Sequence, residues 1–161
     1  EAELSHPDEK PEAPRFCALN DVVVSRGAIA RVVYIEARVN DELLATYKAD
    51  GMVVATATGS TGYSLAAGGP ILHPQSREFI LLPLLPHLSS AYPLVLPSTA
   101  VVKLCVTTAY QATLSIDGHV NLPLNSGATI TVKHSSATTR FLRIHPNNFY
   151  STLALKLKGK Q

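Results

Sequence analysis

The sequence contains no tryptophan, one methionine and only two cysteines, Cys17 and Cys105. With no Cys-x-x-Cys and no paired histidine spacing, a structural zinc site and a disulfide framework are both excluded as starting points. Two isolated thiols point instead to a reducing, cytoplasmic setting. Long hydrophobic runs are also missing. The longest, "FILLPLLPHL", is cut by prolines and too short to span a bilayer, so no membrane partner is expected. Charge of one sign is scarce as well: a net +2 gives no basis for a nucleic-acid partner. The one basic cluster, Lys156, Lys158 and Lys160, lies at the C-terminus and reads most simply as a solvated helix end.

What is present is apolar material in short pieces. At 161 residues and 46% hydrophobic, the chain can bury a core as one domain, with charge too low for disorder. Period-2 alternation predicts strands at Val33–Val39, Ala112–Ile116 and Ala128–Val132, each with one buried and one wet face. Turn signals at 39–41, 117–119 and 125–127 separate them. The expected fold class is therefore mainly β, a two-sheet sandwich. Two helices interrupt it, a short one over "STGYSLAA" with a hydroxyl cap and a glycine stop, and a C-terminal one over "FYSTLALKL" capped by Asn148. Residues 1–15 read as an exposed loop or the remnant of a junction, and 16–161 as the sandwich. An opening without Met adds the expectation that an upstream part is missing.

The stretch most suggestive of function is "DGMVVATATGSTGYSLAAGGPI", residues 50–71. Its spacing matches neither a Walker loop, nor G-x-G-x-x-G, nor the G-x-S-x-G elbow. Thr58, Ser60, Thr61 and Ser64 nevertheless place four hydroxyls in seven residues before a helix, with Tyr63 adding a ring. Hydroxyls and free amides at a helix start suit a nucleotide, with Asp50 holding a ribose hydroxyl. A capped turn explains the same residues equally well on local chemistry alone.

Several ordered motifs tip this balance. "DGMVVATATGSTGYSLAAGGPILHP" resembles the signature segment of the NAD kinases, "ALNDVVVSRG" resembles their Asn-Glu/Asp motif, and "LLPLLPHLSSAYPLVLP" and "LSIDGH" follow in register. The likeness covers residues 16–158. It implies the C-terminal, NAD-binding sandwich of an enzyme that phosphorylates the 2′-hydroxyl of the adenosine ribose of NAD. The donor would be ATP or polyphosphate, the cofactor a divalent metal, usually Mg²⁺, and the assembly a homo-oligomer, dimer or tetramer. By the resemblance, Asn20 and Asp21 bind NAD, Asp50 approaches the nicotinamide end or its ribose, and Lys48 takes a commonly basic position. Thr61, Gly62, Tyr63 and Ser64 line the adenine and ribose pocket, and Asp117 faces the phosphate donor. His87 also matches the pattern, with a structural role equally open to it, whereas Pro70, His73 and the Gly68-Gly69 pair read as architectural. No catalytic residue is expected here, because the Gly-Gly-Asp-Gly-Thr motif that carries the base is absent. Departures from the pattern are Ala57 for Pro, Gly62 for Ala, Asp21 for the common Glu and Tyr92 for Arg. The competing readings are a lipid kinase of the diacylglycerol or sphingosine type, and a non-catalytic nucleotide-binding or oligomerisation module.

Overall fold

A computed structural model describes residues 1–5, 14–27, 32–86, 92–142, 144 and 149–157. Alternating apolar residues build two six-stranded antiparallel sheets that pack face to face. The first runs β2 (Arg15–Phe16), β1 (Ala2–Ser5), β12 (Thr129–Lys133), β9 (Val101–Thr107), β4 (Val33–Val39) and β5 (Glu42–Ala49). The second runs β11 (Val120–Leu124), β10 (Ala112–Ile116), β3 (Asp21–Arg26), β6 (Gly51–Ala55), β7 (Phe79–Leu84) and β8 (Leu94–Leu96). Val33, Ile35, Val102, Leu104, Ile130 and Val132 of the first sheet meet Val22, Val24, Met52, Val54, Leu114 and Ile116 of the second in one core. Each such buried side chain contributes about 1.5–3 kcal/mol relative to exposure.

The turns form where their residues allow left-handed backbone. Asn40 and Asp41, at φ 51° and 66°, close β4 onto β5 with Val39 opposite Glu42. Positive φ at both central residues matches the right-handed twist of the flanking strands, and Asn and Asp tolerate it. Pro83 sits inside β7 without disturbing a ladder, because β8 pairs only with Phe79–Leu81.

The three alternating strands β4, β10 and β12 keep one face more open, whereas the middle of the second sheet does not. β3, β6 and β7 are buried on both faces, and Val23, Val53, Ala55, Ile80, Leu82 and Leu84 form a second cluster. Ala67 and Leu72, which follow the Gly-rich loop, pack on that cluster. Continuous runs such as "VVV" and "FILL" are the sequence form of strands covered twice. The covering segment is what holds the Gly-rich loop against the sheet. Within residues 1–15, Ala2–Ser5 is likewise not exposed loop: it pairs with β12 and buries Ala2 and Leu4.

The short helix differs in detail from its prediction. A 3-10 turn, Gly59–Thr61, precedes α1 (Tyr63–Ala66), and neither has a side-chain cap. The hydroxyls are engaged elsewhere: Ser60 Oγ donates to the Ala57 carbonyl at 2.7 Å and accepts from the Leu72 amide at 3.0 Å. Gly68 ends the helix at φ 88°, as its sequence context predicts. The C-terminal helix α2 spans Phe149–Leu157, and Phe149 meets His73 edge-on at 5.0 Å. His87, Asn148, Lys158 and Lys160 lie outside the described residues.

Candidate functional site

The site is organised around the backbone of Leu19, Asn20 and Asp21, where the chain enters β3. Asp117, at φ 49° in the β10–β11 turn, directs its carboxylate back onto this segment. Its Oδ2 accepts the Leu19 amide at 2.7 Å, and its Oδ1 accepts the Asn20 and Asp21 amides at 2.7 and 3.0 Å. In return the Asp117 amide donates to the Asp21 carbonyl at 3.0 Å. From the other side, Thr56 donates its hydroxyl to the Leu19 carbonyl at 2.6 Å and its amide to the Asn20 carbonyl at 2.8 Å. Thr56 Oγ1 also accepts the Gly59 amide at 3.1 Å, which fastens the Gly-rich loop to the same segment. Gly59 rests so closely on Asn20 that a Cβ would overlap its carbonyl and stand 2.8 Å from its Cα.

A groove of about 490 Å³ opens on the outer face of the second sheet beside this knot. Asn20, Asp21, Tyr63 and Asp117 line it with Thr113, Ser115 and Asn121. Carboxylate, amide, hydroxyls and an aromatic ring are present, and among the described residues no Lys or Arg lines the groove. Such a lining recognises hydroxyls and ring nitrogens and disfavours phosphate. A larger cavity of about 920 Å³ lies on the other side of the knot, touching Thr58, Thr61, Arg77, Asp117, Lys133 and His134. Glu1 and Glu78 line it too, so cations, hydroxyls and carboxylates share its wall.

Asp21 is buried, and its carboxyl is pushed above the usual carboxylate range, first by desolvation and then by the neighbouring Asp117 charge. Among the described residues, no three His, Cys, Asp or Glu side chains converge as a metal would require.

The expected site residues divide into groups. Asn20, Asp21, Tyr63 and Asp117 come together in the groove, while Thr61 faces the larger cavity. Gly62 is exposed at the start of α1. Ser64 is fully buried beneath the loop, and its hydroxyl finds no partner among the described residues. A Cβ on Gly69 would overlap that hydroxyl and lie 2.9 Å from the Ser64 carbonyl, so Ser64 is a packing residue. Removing an unpaired buried hydroxyl gains about 1 kcal/mol, so Ser64→Ala is expected to raise the melting temperature by roughly 2–4 °C, which a thermal melt checks.

Lys48 and Asp50 do not join the groove. Asp50 is the residue at which the chain crosses from β5 to β6, and its carboxylate pairs with Arg26 at 3.0 Å. Thr56 stands at the other end of β6, roughly 20 Å away at about 3.3 Å per residue. Lys48 lies on β5, in the opposite sheet, with Tyr34 as its cross-strand neighbour. Thr113, Ser115 and Asn121 were not anticipated as lining residues. Their signal was the polar face of the alternating β10 and its hairpin partner, read only as wet surface.

Comparison with known proteins identifies the family and the fold. The family model of the ATP-NAD kinase C-terminal domain matches residues 19–144. An NAD kinase of Dehalococcoides mccartyi strain CBDB1 is 51% identical over 154 residues, 95% of this chain and 54% of the relative. An NAD kinase of Chloroflexus aggregans is 43% identical over 142 residues, 88% of this chain and 51% of the relative. The chain thus spans about half the length of these relatives. Among solved structures, yeast NADH kinase complexed with NADH superposes with a TM-score of 0.75 at 31% identity, covering 82% of this chain and 38% of that one. An Archaeoglobus fulgidus NAD kinase in complex with ATP gives 0.68 at 27% identity, covering 84% and 51%.

Proposed function

Because the chain belongs to the NAD kinase family, as its C-terminal domain, we propose that it forms the NAD-holding half of an enzyme that makes NADP. In the full reaction the ribose 2′-oxygen attacks the terminal phosphorus of ATP or polyphosphate. The bond to the leaving phosphate breaks, and the hydroxyl proton passes to a base. The observation that carries this reading is the groove in which Asn20, Asp21 and Tyr63 meet. Their amide, carboxylate and ring suit a nucleoside, with Tyr63 half exposed and open to stacking.

Phosphoryl transfer depends mainly on positioning and charge neutralisation, which a rigid sandwich supplies for one substrate only. The base, the Mg²⁺ ligands and the donor's binding groups belong, on this reading, to the half of the relatives that this chain does not span. The larger cavity, with Thr61, Arg77 and Lys133, would receive phosphate at the junction. Lys48 and Asp50 take no part in the groove of a single chain. A cytoplasmic location and assembly as a dimer or tetramer belong to the same proposal. The exposed Tyr34 and Leu43 on neighbouring strands support assembly, and light scattering tests it.

Calorimetry with the 161-residue chain tests the central claim. NAD is expected to bind, and Asn20→Ala to weaken it about tenfold, the value of one good hydrogen bond. No NADP is expected when ATP, NAD and Mg²⁺ are supplied to this chain alone, since a missing general base costs about 10²–10⁴ in rate. Fusion to the N-terminal half of the Dehalococcoides relative is expected to restore turnover. NADP formed by the unfused chain would overturn the division of labour. Failure to bind NAD would favour a non-catalytic assembly module.

A further inference from the structure

We propose that Asp117 is a positioning residue, which aims Asn20 and Asp21 at the groove by gathering the amides of Leu19, Asn20 and Asp21 onto one carboxylate. This inference rests on the groove being the NAD site. The resemblance assigns Asp117 to the phosphate-donor side as a binding group, and the residue does touch the larger cavity, but its carboxylate is spent on backbone amides. A carboxylate offers about four lone-pair directions, and three of those on Asp117 are already taken by fixed amides. Little acceptor capacity remains for a ligand.

Three consecutive amides on a single carboxylate leave the backbone of residues 19–21 very little freedom. Bonds to a charged acceptor are about twice as strong as neutral ones. The Asp117 amide closes the loop by donating to the Asp21 carbonyl, so hairpin and segment hold each other. Thr56 holds both carbonyls from the opposite side. The side chains of Asn20 and Asp21 are then the parts of this segment left to meet a ligand, and both line the groove. The cost falls on Asp21. Its carboxyl is already desolvated, and the Asp117 charge alongside raises its proton affinity further.

The test uses the full 161-residue chain with NAD as the probe. Asp117→Ala is expected to weaken NAD binding by roughly 10–100-fold, by releasing the segment that carries two contacts. Asp117→Asn keeps one carbonyl oxygen for the Asn20 and Asp21 amides and is expected to restore most of that loss. Hydrogen exchange is expected to quicken at residues 19–21 in Asp117→Ala while the β6 and β7 amides stay protected. The pH profile of NAD binding in Asp117→Asn is expected to shift to lower pH, because Asp21 loses a repelling neighbour. Weakened binding with amide protection intact would make Asp117 a direct contact and overturn the proposal. Unchanged NAD affinity in Asp117→Ala would overturn it too. If Asn20→Ala and Asp21→Ala also leave NAD affinity unchanged, the site assignment itself falls.

Discussion

Gly59→Ala is expected to lower the melting temperature by roughly 6–12 °C and to abolish NAD binding. Gly59 lies against the Asn20 backbone, where a Cβ would overlap the carbonyl and approach the Cα to 2.8 Å. The atoms in the way are main chain, so no rotamer change relieves the overlap. Forced overpacking of this kind costs about 3 kcal/mol. The Gly59 amide bonds Thr56 Oγ1, and Thr56 in turn holds Leu19 and Asn20. Pushing Gly59 outward therefore loosens the segment that carries the groove's carboxylate. Thr58→Ala on the same loop is the control: its side chain is exposed, and a change within about 0.5 kcal/mol is expected. A Gly59→Ala protein that melts within about 2 °C of the parent would show that the loop yields freely.

Asp21→Asn is expected to separate stability from binding. Asp21 is buried with its carboxyl raised above the ordinary value of 3.8, by desolvation first and Asp117 second. In the folded state it binds a proton more tightly than in the unfolded chain. Its contribution to stability is therefore greatest in acid and falls as pH climbs from 3.8 through the raised folded value. At neutral pH the ionised group is a burden, and Asn removes both the buried charge and the repulsion. A gain of about 1 kcal/mol at pH 7 is expected, shrinking as pH drops below that window. NAD affinity is expected to fall by roughly 10–100-fold, because the proposed site loses the carboxylate that would bond ribose hydroxyls. Thermal melts at pH 3.5 and pH 7, paired with calorimetry at pH 7, check both halves. Lower stability at pH 7 with unchanged affinity would mean that Asp21 is a structural acid.

These two residues also show how far the sequence could be read. Gly59 lies in a loop whose spacing matches no phosphate-binding motif, and its contact is with Asn20, thirty-nine positions earlier in the chain. No local pattern encodes that approach. Asp21 was picked by motif, but its burial depends on the loop folded over the second sheet. The resemblance makes Asp117 a group on the phosphate-donor side, and no local pattern shows what its carboxylate binds. Its three amide partners come from a segment 96 to 98 residues away. Asp50 makes the same point: a short sequence distance from the Gly-rich loop is a full strand length in space within one chain.

The sequence by itself determined the sandwich, the hairpin turns at Asn40-Asp41 and Asp117-Gly118, and the residue types that line the candidate groove. Alternation and turn chemistry act over a few residues, so they are written locally. The tertiary structure alone decided which of those residues share a groove and which are spent holding it. That choice depends on β10, β3 and β6 lying side by side, although long stretches of chain separate them in sequence. Strand order follows from burying both faces of the central strands, and burial belongs to the whole fold.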